Sequence, residues 1–422
     1  MTKPNFKRTK FACYSAYFTM SSIFSLPPLL FVTFKETFGI SYTLLGTLVL
    51  TNFCTQFAVD LIFTIFSKKF NFQKIVRFMP LITSLGMFVY ALIPSLFPNF
   101  AYGGLLIGTV IFSVSAGLSE VLLSPTIAAI PSDNPQRDMS LLHSLYGFGV
   151  FTVIIISTVF LKIFSRANWA YLVGIFALLP IFASILFFLS PMPDMSASSC
   201  QGKTTANSRK IIGITICALC IFLGSCAENT MSNWISSFME NALHIDKAVG
   251  DILGMALFAI LLALTRICYA KFGKNISRFL LVGMIGASVC YFLVGFSSNV
   301  IVAFVGCVLT GIFTSMLWPG TLIMMEEKIP NVGVGAYALM AASGDFGASL
   351  APQLMGIVAD NVAVSKFALD LAPTLNLTVE QIGLKAGMLV NSIFPILGIA
   401  VMIIAINFFK KPTEEKTLLQ ND

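Results

Sequence analysis

Long, nearly uninterrupted runs of apolar residues govern what this chain can fold into. Between charged residues and Pro, Gly or Asn breaks there are twelve of them. They lie near 11–34, 41–66, 75–97, 102–130, 140–163 and 169–189, then 211–241, 249–270, 278–296, 300–325, 333–359 and 386–409. A helix crosses a bilayer core in about 20 residues, so each run is long enough to span. Lipid cannot hydrogen-bond an open backbone, which leaves helices or closed barrels, and these runs are about twice the length of a barrel strand. The expected fold is therefore an all-α membrane protein of twelve transmembrane helices. Composition agrees: of 422 residues 57% are hydrophobic and 11% charged, against about 25% charged in soluble domains. A soluble enzyme, a fibre and a disordered chain are excluded.

Basic residues orient the spans. With the N-terminus placed inside, the inner loops and tails hold 18 Lys and Arg and the outer loops six: Lys35, Lys162, Arg166, Lys247, Lys366 and Lys385. That bias predicts both termini in the cytoplasm. Only Arg77 and Arg266 are left over, near span ends where a long side chain can snorkel to the interface. The net charge of +7 is scattered through short loops, which fits topology rather than a nucleic-acid partner. The basic segment 1–10 leads into a full-length apolar run, so no removable signal peptide is expected. Of nine Cys, eight sit singly in apolar stretches. Cys217 and Cys220 have redox or metal spacing but lie in an apolar run without a second ligand pair, and read as packing.

Residues 190–210, rich in Ser, Thr, Asn, Pro and Met, read as a cytoplasmic linker between six-helix halves at 1–189 and 211–422. The halves echo each other. Gly117 precedes Pro125 in span four as Gly311 precedes Pro319 in span ten. Each is followed by an edge Ile-Pro, Ile130-Pro131 and Ile329-Pro330. Gly147-Phe148-Gly149 then corresponds to Asp345-Phe346-Gly347. Two matches in register predict a duplication, hence two pseudo-symmetric bundles. Repeated six-plus-six helices are the layout of a secondary transporter with a midplane site between halves.

An acid inside a span costs about 2.5–3.5 kcal/mol on insertion scales, so each is a site candidate. Ser113, Gly117, Glu120 and Ser124 form one polar stripe on span four. Glu120 could accept sugar hydroxyls, carry a coupling proton, or bond a neighbouring helix. Span seven is unusually polar. Ser225, Asn229, Asn233 and Ser236 share a face, Glu228 borders it, and Trp234 offers a flat plate for a sugar ring; the bland alternative is interhelical glue. Asp60 in span two could join Glu120 in a cation site or tether the loop basics. His143, about one turn into span five, could relay a proton or serve as a core histidine. Trp318-Pro319 breaks span ten, with Thr314 and Ser315 one turn earlier, and a proline there frees a backbone carbonyl. Gly103-Gly104, Gly333-x-Gly335 and Ala341–Gly347 read as close-packing surfaces. Gln201–Thr204 lacks the upstream glycine of a phosphate-binding loop, so ATP-driven pumping has no support. Asn376-Leu377-Thr378 matches a glycosylation acceptor on an outer loop.

These residues resemble the major facilitator superfamily across the whole chain. Within it, Gly117–Pro125 is similar to the span-four signature of the fucose–proton symporter group, Gly224–Glu228 to its Gly-x-x-x-Glu stretch, and Gly311–Pro319 to its Gly-x-x-x-Ser-x-x-x-Pro pattern. The resemblance implies that Glu120 is the span-four acid of a sugar site and that Glu228 and Asn229 line the same cavity. The superfamily's loop motif is degenerate at Ser67–Asn71 and better kept at Arg266–Lys274. No acid lies between Phe11 and Phe34, where the fucose symporter couples protons. Asp60 and Glu120 resemble instead the cation site of melibiose permease, where sodium serves.

Residues and resemblance together predict a plasma-membrane secondary transporter, monomeric and not an enzyme, without nucleic-acid partner, metal or other cofactor. It would move a small polar solute, foremost a sugar, by alternating access coupled to H+ or Na+. Expected substrate contacts are Glu120, Ser124, Glu228, Asn229, Asn233, Trp234, Thr314 and Trp318; expected coupling residues are Glu120, Asp60 and His143. The competing expectations are a proton-coupled exporter of amphipathic drugs or other metabolites, and a non-transporting scaffold or sensor, which has no need of buried acids.

Overall fold

The computed structural model describes residues 6–66, 70–133, 135–193, 208–329 and 334–410. Most of the expected linker, at 194–207, lies outside the described residues, as do Lys68, Lys69, Pro330 and Gly333. Helices account for nearly all of the rest, and no strand occurs among the described residues. They are α1 (Lys7–Phe38), α2 (Tyr42–Phe66), α3 (Phe72–Leu96), α4 (Ala101–Ala128), α5 (Pro135–Phe164), α6 (Trp169–Phe188) and α7 (Ser208–Asn241). α8 runs as Lys247–Val249, a π-helical stretch Gly250–Ala256, and Leu257–Phe272; α9 is Ile276–Phe296. α10 comprises Val300–Thr314 and Pro319–Lys328, α11 is Val334–Ala363, and α12 comprises Val379–Asn391 and Ile393–Lys410.

Eleven of these are long and apolar enough to cross a bilayer. The exception is α11, 30 residues long, whose Ala, Gly, Ser, Asp345 and Asp360 dilute its apolarity. It packs between α2, α7 and α12, so protein rather than lipid surrounds much of it. Local signals set the helix ends. α1 stops where Gly39 takes φ +65° and its N–H bonds the Lys35 carbonyl at 3.0 Å, a left-handed cap that glycine adopts without strain. α12 begins at Val379, earlier than the expected 386, because Thr378 and Gln381 form a capping box. Lys385, expected in a loop, is consequently inside α12. A short helix, Lys366–Leu375, precedes it.

α1–α6 pack chiefly on one another, as do α7–α12; α2 against α11, α5 against α8 and α1 against α7 join the two groups. Close approach of α3 and α4 depends on Gly108, where a Cβ would sit 2.6 Å from that of Tyr90. Many of the hydrogen bonds and ion pairs between the groups gather at the face opposite the chain termini. There Asp360 of α11 accepts from the backbone N–H groups of Tyr42 (3.1 Å) and Thr43 (2.6 Å), capping α2 across the seam. Tyr42 donates its hydroxyl to Glu380 at 2.5 Å and accepts from Asn241 at 2.8 Å. Arg166 pairs with Glu36 at 2.9 Å and with Glu240 across the seam. Asp251, fully buried in the π-helical turn, takes Lys247 at 2.8 Å, Ser236 at 2.5 Å and Thr158 of α5 at 3.5 Å.

At the termini face, within the first group, Lys10 of α1 pairs with Asp138 of α5, and Ser132 donates to the same carboxylate oxygen at 2.5 Å. These hydrogen bonds, Lys10 foremost, hold the Asp138 carboxyl below the usual carboxylate range. A depressed carboxylate stabilises the fold above its unfolded value, about 3.9, and the contribution is lost as pH falls through the folded value. Thermal unfolding of detergent-solubilised protein across that acid range should show Lys10→Met with a flatter acid limb than wild type. Superimposable pH profiles would contradict the coupling.

Candidate functional site

Two polar stripes meet where α2 crosses α4. On α2, Asn52, Gln56 and Asp60 recur every four residues and therefore share a face. On α4 the facing set is Ser113, Gly117 and Glu120. Ser113 Oγ donates to Asn52 Oδ1 at 2.6 Å, and Gln56 Nε2 donates to the same oxygen at 3.0 Å. Gly117 lets the helices touch, since a Cβ there would lie 3.0 Å from Val59 and 3.2 Å from the Gln56 Cα. The stripes end in Asp60 and Glu120.

A third acid arrives from the other helix group. Asp345 of α11 is 4% exposed, and its carboxyl lies within hydrogen-bonding reach of Asp60. Glu120 is the electrostatic neighbour of both, and of Tyr17 on α1. Exposures grade across the cluster: Glu120 is open, Asp60 half-buried and Asp345 enclosed. Asp60 Oδ1 and Asp345 Oδ2 have no hydrogen-bond partner, a deficit of about 1–3 kcal/mol for each buried group. An ionised carboxylate only accepts hydrogen bonds. A bond between two carboxyls therefore requires a proton, and a trio without one repels itself. The arrangement is suited to taking up and releasing a cation.

Small residues admit Asp345 to this position. Gly344 abuts the Trp318 indole of α10, and a Cβ at Gly347 would stand 3.2 Å from the Cys226 Sγ of α7. Ser225 of α7 donates to the Gly344 carbonyl at 2.6 Å, and Asn229 Nδ2 donates to the Ser225 carbonyl and hydroxyl at 3.1 Å each. Asn233 Nδ2 in turn donates to the Asn229 carbonyl at 2.8 Å. The polar face of α7 is thus tied to the backbone beside Asp345.

Beside it stands an ion pair whose origin is a proline. Pro319 has no N–H, so the Ser315 carbonyl four residues earlier loses its helical donor. Arg266 of α8 takes that carbonyl with Nε at 2.8 Å and pairs with Glu228 through Nη2 at 3.2 Å. Glu228 Oε2 remains buried and unpartnered. One kinked helix, one guanidinium and one acid are coupled by what the proline cannot donate.

The expected site residues therefore divide. Asp60 and Glu120 come together, with Asp345; Glu228 and Asn229 lie on consecutive positions of α7. Trp318 is half-buried against Gly344, and Ser124 is half-buried one turn beyond Glu120. Trp234 offers no free plate. It is fully enclosed, with ring centroids 5.5 Å from both Phe31 and Tyr42 and its Nε1 donating to the Pro352 carbonyl at 3.0 Å, and it belongs to the closed seam. Thr314 is enclosed and bonds back to Thr310 at 2.9 Å. His143 lies in α5, and its side chain falls outside the described residues. Sequence reading passed over Asn52 and Gln56, whose four-residue spacing to Asp60 was the available signal. It treated Asp345 as part of a packing run and Arg266 as a snorkelling residue. No sequence signal reveals Asp345 as the partner of Asp60.

The Major Facilitator Superfamily model matches residues 11–352 and 217–420. No curated protein sequence matches. Among solved structures, a bacterial homologue of the human lysosomal transporter Spinster, inward-facing and occupied, is similar with a TM-score of 0.71 at 14% identity, covering 98% of this chain and 100% of that one. A D-xylose–proton symporter gives 0.70 at 13%, with 92% and 96% covered. The nucleoside transporter NupG gives 0.64 at 13%, with 96% and 99% covered. At these identities the likeness is one of fold.

Removing Arg266 strands both the Glu228 carboxylate and the Ser315 carbonyl. The pair is part-exposed, so its own contribution is discounted by solvent screening, but the orphaned Ser315 carbonyl adds to the loss, and Arg266→Ala should lower the thermal midpoint in detergent. Arg266→Ala combined with Glu228→Gln should recover part of that loss. Strictly additive losses in the double variant would show that the two side chains do not act as a pair.

Proposed function

The chain belongs to the Major Facilitator Superfamily and is a multi-pass membrane transporter, not an enzyme; from that premise we propose that it is a secondary transporter moving a small polar solute, a sugar before other classes, by alternating access coupled to H+ or Na+. One observation carries the coupling: Asp60, Glu120 and Asp345 converge from α2, α4 and α11, with two of their oxygens lacking partners. A cluster shared by two helix groups changes its energy when the groups separate, so cation occupancy and conformation are linked. The amide and hydroxyl face of α7 supports the polar-solute reading. Asn229 and Glu228 present donors and acceptors of the kind a polyol needs, and Trp318 is the aromatic surface beside them.

In this proposal α1–α6 and α7–α12 are the two moving bodies, joined through 190–210. Both termini lie in the cytoplasm of a cell whose plasma membrane holds the protein, as the Lys and Arg distribution supports. The seam closed by Asp360, Tyr42, Trp234 and Arg166 is then the outer gate, and the state described is closed to the outside. Opening it breaks the cap that Asp360 places on α2.

Purified protein in liposomes tests the proposal. Radiolabelled hexoses should exchange by counterflow and accumulate under an inward H+ or Na+ gradient. Glu120→Gln should abolish gradient-driven accumulation while the protein remains folded. Full accumulation by that variant would remove Glu120 from coupling, and proton-driven dye extrusion without any hexose movement would overturn the sugar reading.

A further inference from the structure

At the face opposite the termini, away from the acid cluster, a cavity of about 530 Å³ lies between the ends of α7, α10 and α12 and the short helix Lys366–Leu375. Its wall includes His244 from just after α7, Val300 from the start of α10, Ala372 from the short helix and Asn376 just after it, Thr378 from the cap of α12 and Lys385 from within α12. No acidic residue is among the described residues lining it. Lys385 is 8% exposed, and its Nζ donates to the Ser297 carbonyl at 2.7 Å. A lysine head carries three donors, so two are unspent. A carbonyl partner also supplies no counter-charge, and an enclosed cation without one is costly.

Helix starts at Val300 and Thr378 and helix ends at Ala242 and Asn376 all border the cavity, so the dipole ends oppose one another and Lys385 supplies the local charge. The neighbouring short helix is amphipathic. Phe367 and Leu375 are exposed on one side of it, as is Val364 just before it, with Leu369 exposed on the other side and Ala368 buried. An apolar face at the end of a membrane bundle suits the boundary between headgroups and acyl chains.

We infer that this cavity binds the headgroup phosphate of a net-anionic membrane phospholipid, with Lys385 as its cation and the exposed face of Lys366–Leu375 lying along its acyl chains. Binding to the folded protein alone raises stability by mass action. It would also hold together the ends of α7, α10 and α12 next to the seam where Tyr42 and Glu380 meet.

Full-length protein in nanodiscs of phosphatidylcholine, with and without phosphatidylglycerol, provides the test, read as the thermal midpoint. Phosphatidylglycerol should raise the midpoint of wild type, and Lys385→Gln should lose that rise. Ala372→Trp, which fills the cavity and leaves the Lys385 residue in place, should lose it too and serves if Lys385→Gln does not fold. Inorganic phosphate or glycerol 3-phosphate added to phosphatidylcholine discs should leave the midpoint unchanged. A soluble anion that reproduced the rise would replace the lipid as ligand. An equal phosphatidylglycerol-dependent rise in wild type and in a folded cavity variant would overturn the inference.

Discussion

A carboxyl group inside a membrane protein must find a hydrogen-bond donor, a cation or water, because the low-dielectric surroundings make an uncompensated charge too costly to keep. The rest of the molecule is organised around that constraint. Asp60, Glu120 and Asp345 are brought from α2, α4 and α11 to one place, and one oxygen each of Asp60 and Asp345 finds no donor there. In the proposed function that shortfall is met by a cation at the junction of two helix groups, and a cation held only when the two bodies are together would couple its binding to their motion.

Several other ionisable groups among the described spans follow the same rule and find partners. Asp251 is surrounded by Lys247, Ser236 and Thr158. Asp360 spends its oxygens on the first N–H groups of α2, replacing an ordinary N-cap by a residue of the other helix group. Arg266 answers two deficits at once, the Ser315 carbonyl that Pro319 leaves open and one oxygen of Glu228. The proline that kinks α10 thus also fixes where a guanidinium stands beside the polar face of α7. Asp360, Asp251 and Arg166 help hold the closed face, while Asp60 Oδ1, Asp345 Oδ2 and Glu228 Oε2 lack partners.

Helix count and approximate positions were legible because apolar runs of spanning length admit one backbone solution in lipid. Ends were less so. Lys385 looked like a loop residue because charge was taken as a break, whereas Thr378 and Gln381 start the helix seven residues before it. Asp60, Glu120, Glu228 and Asn229 stood out as polar groups in apolar surroundings. What they face could not be read from periodicity, which places a residue on a helix face but not that face against a neighbour. Asp345 was hidden among Gly and Ala for the same reason: the small residues that look like packing are what allow its helix close to α7 and α10. Chemical type alone did not place Trp234, since an indole suited to a sugar ring also fills an aromatic seam with Phe31 and Tyr42, where it lies in the state described.

The account rests on the three carboxyls behaving as one site. Infrared difference spectra of the membrane-reconstituted protein, recorded between two pH values, resolve the carbonyl stretch of protonated carboxyl groups. With wild type, Asp60→Asn, Glu120→Gln and Asp345→Asn compared, removing any one acid should shift the titration of the remaining two, as coupled sites require. If the bands of Asp60 and Glu120 titrate identically with and without Asp345, the cluster does not span the two helix groups and the coupling account is wrong.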